Sequence, residues 1–234
     1  MRSDFENGLY FGRNFFIMTD SKTKKLTMIG MLCAIAYAVM VVGRVPIVLF
    51  LKYDPKDVII TIGGFIFGPF TSFTISFIVS LIEMFTVSDT GFIGCVMNIL
   101  SSCSFACLAA YIYKKKHTLS GAVIGLFCGL AFMTVVMLLW NYLVTPIYLG
   151  YPREAVAELL IPAILPFNLL KGGINLALTI LIYKHVVNAL RKAKLIDESK
   201  GEAGDKSSVM GIMIVASVIL ITGILVALVL KGVI

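Results

Sequence analysis

The sequence predicts an all-α integral membrane protein: a six-helix transmembrane bundle with one further transmembrane helix appended at the C-terminus. Three observations carry this. Of 234 residues, 59% are hydrophobic and 14% are charged, whereas a soluble domain carries about 25% charged residues. The apolar residues gather in runs, several of which approach the ~20 residues of helix that cross about 30 Å of hydrocarbon. Most of the 20 basic residues sit in short clusters between those runs, the placement that orients a membrane protein. The net charge of +7 is therefore no sign of nucleic-acid binding.

Residues 1–25 precede the first run and are expected to be a cytoplasmic segment. They lack a continuous apolar stretch followed by a small-residue cleavage site, so no cleaved signal peptide is expected. The bundle itself is expected over 26–194. Its first span is 26–43, "LTMIGMLCAIAYAVMVVG". The following "RVPIVLFLKYDPKD" mixes Pro46, Pro55 and charged side chains with apolar ones, and is expected to be a loop or a partly re-entrant segment. Residues 58–67 lead through Gly68-Pro69 into 70–85. Pro69 has no amide hydrogen, which favours two short spans meeting at a tight turn over one long broken span.

The fourth span, 92–113, is closed by Lys114, Lys115, Lys116 and His117, and the fifth, 119–144, by Thr145-Pro146. Residues 146–163 suit a surface loop, in which "PREAVAELL" forms a short interfacial helix opening on Pro152. The sixth span is 166–187, closed by a basic patch of Lys184, His185, Arg191, Lys192 and Lys194. Residues 195–208 have linker composition, and 209–231 form the added helix, with Ser217 and Thr222 as its polar residues. With paired spans over 58–85, the clusters at Lys22, Lys24 and Lys25, at 114–116 and at 184–194 share one side, which is the cytoplasmic one. The loop 44–57, the Ser88-Asp89 turn and 146–163 then face outward, as does the C-terminus if the added helix spans.

Polar groups inside the apolar runs mark a candidate site. Asn168, Lys171 and Asn175 are spaced three and four apart and share one helical face. An isolated lysine in hydrocarbon is costly. Either Lys171 snorkels to the nearby outer face, or the stripe faces a cavity or a partner helix. Near the outward end of the fifth span stand Trp140, Asn141 and Tyr142. The two aromatics suit an interfacial belt, but the Asn141 amide needs partners at that depth. Both stripes lie toward the same side, which suggests an outward-opening pocket lined by amides and aromatics and carrying one cation. Such a pocket suits a flat ligand rich in heteroatoms. Leu49, Phe50, Leu51 and Lys52 would sit over it as a lid, and Lys52 and Asp57 are free to pair with each other or with Lys171.

The five cysteines lie in apolar runs, are odd in number and show no ligand spacing, so they are expected as small packing residues. No HExxH, CxxC, GxSxG or GxxxxGK[ST] occurs; no catalytic residue, cofactor or metal site is expected, and energy for transport would have to come from a partner or a coupled ion. Glu83 is the main acidic candidate for ion coupling. Gly30, Ala34 and Ala38 form a ladder of small residues four apart, suited either to packing within the bundle or to a partner subunit.

Three pieces, "LKYDPKD", "WNYLVTPIYLG" and "PAILPFNLLKGGINLAL", with weaker support from "GGFIFGP", closely resemble the riboflavin-specific substrate-binding subunit of energy-coupling factor vitamin transporters, over about residues 26–190. The resemblance implies a six-helix membrane subunit holding riboflavin as its transported ligand near the outer face. It implies that Asn168, Lys171 and Asn141 contact the flavin and that 49–52 cover its ring. Ala34 and Ala38 would dock on an energy-coupling transmembrane subunit driven by two cytoplasmic ATPases, and the whole subunit would topple in the bilayer. The seventh helix departs from that pattern. A self-sufficient secondary transporter for another small heterocyclic vitamin and a non-transport assembly or sensor protein are the competing classes.

Overall fold

The structure is a computed structural model that describes the backbone of residues 2–48, 51–150, 152–192, 206–230 and 232; side chains are described from Lys22 onward except at 48, 148, 149, 184, 187, 189–191 and 206–209. Eight α-helices and one pair of short strands make up the described chain: α1 (Arg2–Gly43), β1 (Val45–Val48), β2 (Leu51–Tyr53), α2 (Lys56–Phe67), α3 (Pro69–Thr86), α4 (Gly91–Lys116), α5 (Leu119–Leu149), α6 (Arg153–Leu159), α7 (Leu165–Lys192) and α8 (Lys206–Leu230). Six segments among the described residues are long and apolar enough to cross a membrane: Lys22–Gly43, Pro69–Thr86, Gly91–Lys116, Leu119–Ile147, Arg153–Tyr183 and Met210–Leu230. At about 1.5 Å per residue, the 12 residues of α2 are too short to span alone. Gly68, at φ 98°, turns the chain between α2 and α3 in a conformation that a side chain would resist, and Pro69 then opens α3 at a position where its missing N–H costs nothing.

α1 takes in residues 2–25 together with the first span. Three segments differ from expectation. Within the segment 44–57, expected as a loop or a partly re-entrant segment, β1 and β2 pair antiparallel, with Val45 opposite Tyr53 and Pro46 opposite Lys52, and the β-branched Val45, Ile47 and Val48 suit that geometry. α5 does not stop at Pro146 but runs through it to Leu149. A proline kinks a helix more readily than it ends one when the alternative is unpaired backbone in hydrocarbon. Finally, 146–163 is mostly helical, as α6 followed by a π-helical turn over Leu160–Ile164 that leads directly into α7; Pro162 lies in that turn. Leu49, Phe50 and the linker residues 193–205 lie outside the described residues.

α4 is the central helix, packed against α2, α3 and α5. The main core joins Leu32 and Ala36 of α1, Ile60 and Phe65 of α2, Ile75 and Val79 of α3, Phe105 and Ala109 of α4, Leu126 and Met133 of α5, and Leu176 and Ile180 of α7. A second, smaller cluster unites Ile47 and Leu51 of the strands with Ile164 and Phe167, and Ala227 of α8 packs on it. α8 runs antiparallel along α7: Gly223 faces Ile174 and Leu170, and Ile219 faces Gly173. It therefore returns to the end of the bundle where the strands lie.

α4 and α5 approach closely enough for backbone contact. A Cβ on Gly129 would stand 2.5 Å from the Phe105 carbonyl oxygen, and one on Gly125 would stand 2.7 Å from that of Ala109. Neither carbonyl can move without shifting α4. Gly129→Val is expected to lower stability by about 1–3 kcal/mol, the usual cost of overpacking, measured as a reduced melting temperature in detergent. Gly30→Ala, with nothing within 4 Å of the added Cβ, should leave the melting temperature near that of the parent.

Candidate ligand-binding site

At the strand end of the bundle a cavity of about 220 Å³ opens between the ends of α1, α3 and α5, the starts of α4 and α7, and the strand pair. Asn141, Asn168 and Lys171 line this one cavity, with Asn98 and Ser101 of α4. Leu51, Met97, Met137 and Phe167 supply apolar walls. Asn141 and Asn168 are buried, and each uses its amide within its own helix. Asn141 Nδ2 donates to the Met137 carbonyl at 2.7 Å and its Oδ1 accepts from Thr145 Oγ1 at 2.9 Å. Asn168 Nδ2 donates to the Ile164 carbonyl at 2.8 Å, at the end of the π-helical turn.

Lys171 does not snorkel. Its side chain is 7% exposed and its Nζ lies 3.4 Å from Asp57 Oδ2, with Ser101 Oγ at 3.5 Å. Asp57, at the first turn of α2, is itself held from several sides. Ser102 Oγ donates to its Oδ1 at 2.5 Å and Asn175 Nδ2 to its Oδ2 at 3.3 Å. The Tyr53 hydroxyl donates to Asn175 Oδ1 at 3.0 Å. A buried charge pair persists in a low-dielectric setting when its remaining lone pairs are satisfied in this way.

A second ionic group closes the cavity beside the strands. The fully buried Lys56 donates to Glu83 Oε2 at 2.5 Å and lies 3.8 Å from Asp54; Arg44 pairs with the other Glu83 oxygen and donates to the Val87 carbonyl at 3.2 Å. Lys52 pairs with Asp89 across the cavity mouth. Burial alone would raise the Asp54 carboxyl, but the charges of Lys56, Lys171 and Arg44 outweigh it and hold the group below the ordinary carboxylate range. Burial, and then the charges of Asp57 and Asp54, push the Tyr53 phenol up, so it remains a hydrogen-bond donor.

Of the residues expected at the site, Asn141, Asn168, Lys171, Leu51 and Lys52 line the cavity. Asn175 lies beneath it, fully buried between Tyr53 and Asp57, and Trp140 packs against the main core away from the lining. Lys52 and Asp57 take different partners, Asp89 and Lys171. Glu83 is engaged by two cations rather than standing alone. Arg44, Asn98 and Ser101 were not singled out from sequence. A serine or asparagine at the start of an apolar helix is common, and the charge of Arg44 reads as a span end. Gly30, Ala34 and Ala38 lie exposed on α1 rather than inside the bundle.

Bundle and cavity together define a multi-pass membrane protein that encloses a polar, largely preformed small-molecule site at one end. Over residues 24–183 the sequence matches the family of ECF transporter substrate-specific components, and the chain belongs to that family: it is a component of a transporter and not an enzyme. It is 29% identical over 181 residues to the riboflavin transporter RibU of Staphylococcus aureus (strain TCH60), covering 73% of this chain and 94% of that protein. It is also 29% identical over 164 residues to the riboflavin transporter FmnP of Bacillus subtilis (strain 168), covering 64% and 85%. A solved structure of the S component of a bacterial ECF transporter superposes with a TM-score of 0.61 at 29% identity, covering 73% of this chain and 99% of that one. α8 lies beyond the family match.

Two outcomes test the ionic frame. Asp57→Ala leaves the Lys171 ammonium buried without its counter-charge and is expected to cost about 3–5 kcal/mol in detergent unfolding, while Asp57→Leu with Lys171→Met recovers most of that loss. Because the Asp54 pKa is depressed in the folded state, its contribution is present above the unfolded value of about 3.9 and is lost as pH falls through the lower folded value. The melting temperature should therefore drop in strong acid, and Asp54→Asn should flatten that drop.

Proposed function

We propose that this chain captures riboflavin at the outer face of the cell membrane and delivers it inward as the substrate-specificity subunit of an ATP-driven energy-coupling factor transporter. The observation that carries this reading is the convergence of Asn141, Asn168 and Lys171 on one cavity beneath the strand pair. Amides there can read the donor and acceptor edge of an isoalloxazine ring, while Phe167, Leu51 and the two methionines cover its faces. The names of the two relatives point to the same vitamin.

Orientation follows from charge. The lysines before the first span, those ending α4 and the basic end of α7 all lie at the end of the bundle opposite the cavity, which the positive-inside bias makes cytoplasmic. The cavity then faces outward, and α8 carries the C-terminus to the outside. The chain has no phosphate-cradling motif, so ATP energy enters through partners: an energy-coupling transmembrane subunit and two cytoplasmic ATPases. The exposed Gly30, Ala34 and Ala38 of α1 let a partner helix approach closely, and α8 packs along α7, leaving that face uncovered. Glu83, engaged with Arg44 and Lys56, is poorly placed to couple an ion, which disfavours a self-sufficient secondary transporter.

Titration of detergent-purified protein should quench riboflavin fluorescence at one equivalent; no binding overturns the reading. Asn168→Ala is expected to lose about 1–3 kcal/mol of binding, roughly 5- to 150-fold in Kd. FMN should bind at least tenfold more weakly, because the cations around the cavity are already paired. Ala34→Trp should spare riboflavin binding and abolish uptake by vesicles carrying the assembled transporter; equal losses of both would remove α1 as the docking face.

A further inference from the structure

α8 does not lie evenly on the bundle. In its second half it touches α7 tightly: a Cβ on Gly223 would meet Ile174 Cγ1 at 2.8 Å. Nearer its start Ala216 and Ile212 join the main core, but a Cβ on Gly211 would meet nothing within 4 Å. Gly211 borders a groove of about 310 Å³ between α5, α7 and α8, walled by Val123, Phe127, Leu176, Ile180, Ala216 and Ile219. This groove is on the opposite half of the bundle from the ligand cavity.

An apolar wedge in a bilayer is not left void, since the atoms lining it would forfeit their dispersion contacts, and its walls offer nothing to hold water. Val123 and Ile180 place it toward the basic end of the molecule. Ile180 lies five residues, about 7.5 Å of helix rise, before His185. Val123 lies four residues into α5, which starts just past Lys114, Lys115 and Lys116, all exposed at the end of α4. A Cβ on Gly121 would touch Lys116, which sets that lysine against the first turn of α5. The hydroxyls of Tyr113 and Tyr183, 2.6 Å apart, hold the two basic helix ends together. Between Asp89 and Glu154 no acidic residue occurs, and the basic residues of 114–117 and 184–194 outnumber the four acidic ones of the linker 195–208, which lie outside the described residues. An apolar slot beneath a rim rich in exposed lysines fits one ligand chemistry: an acyl chain joined to an anionic headgroup.

We infer that the groove between α5, α7 and α8 is a specific site for one anionic phospholipid of the leaflet bearing the basic helix ends, with an acyl chain wedged under α8 and the phosphate at the rim near Lys116. The lipid fills the gap that α8 leaves and fastens the appended helix to the bundle. This site is independent of the vitamin-binding reading and would stand if that reading failed.

The test uses the full-length protein in detergent, incubated with phosphatidylglycerol or phosphatidylcholine of identical acyl chains, with retained lipid counted by native mass spectrometry. The expected result is one tightly held phosphatidylglycerol, retained at least tenfold over phosphatidylcholine. Gly211→Phe, which places a ring in the groove that Gly211 lines, should reduce retention of both lipids at least tenfold. Lys115→Gln with Lys116→Gln should abolish the preference while sparing the weaker phosphatidylcholine adduct. Equal retention of the two lipids by the parent protein overturns the inference, as does undiminished binding in Gly211→Phe. Should Gly211→Phe fail to fold, the lysine pair, which is exposed, decides the matter: an unchanged preference there rejects the site.

Discussion

A lysine inside a membrane bundle has to meet a counter-charge, and the pairing of Lys171 with Asp57 organises much of what surrounds it. Lys171 belongs to α7 and Asp57 to α2, while Ser101 and Ser102 reach the pair from α4 and Tyr53 reaches it from β2 through Asn175. Three stretches distant in sequence, β2 with α2, α4 and α7, are thus tied at one point. Removing a charge from water costs several kcal/mol before any attraction is counted, so such a pair is tolerated only when its geometry is over-determined. That same over-determination fixes the floor of the cavity and keeps Asn168, one turn away on α7, aimed at it.

The second ionic group acts on the opening. Arg44 leaves α1, Lys56 begins α2, and both close on Glu83 near the end of α3. They bracket the strand pair, so its place over the cavity is set at both of its ends by charge and in its middle by Ile47 and Leu51 packing on Ile164 and Phe167. α8 reaches the same patch through Ala227, and the appended helix therefore meets the bundle at two levels: beside the strands through Ala227, and on the main core through Ala216 and Ile212.

The helical spans were legible because hydropathy runs and basic clusters report burial in lipid directly. Asn168 and Lys171 stood out for the same reason, as polar groups where polarity is expensive. The strand pair was not legible: Pro46, Pro55 and interspersed charges are also what a loop contains, and its two strands are held by contacts with α3 and α7 that lie far away in sequence. Pro146 was read as a stop because local rules say so, whereas hydrocarbon penalises the exposed backbone that stopping would create. Trp140 shows the converse limit. Its neighbour Asn141 reaches the cavity, but one residue along a helix is a turn of about 100°, and sequence adjacency alone does not put both on one wall. Asp57 was visible only as one of several partners for two lysines, because pairing is decided by which helix ends meet.

The ionic groups around the cavity are Arg44, Lys52, Lys56 and Lys171 against Asp54, Asp57, Glu83 and Asp89. Each positive group has a negative neighbour, and the sum is zero. Carrying one elementary charge through a membrane voltage of 100 mV takes about 2.3 kcal/mol; for a region whose charges cancel internally, displacement along the membrane normal takes no net electrical work, and the voltage neither drives nor resists it.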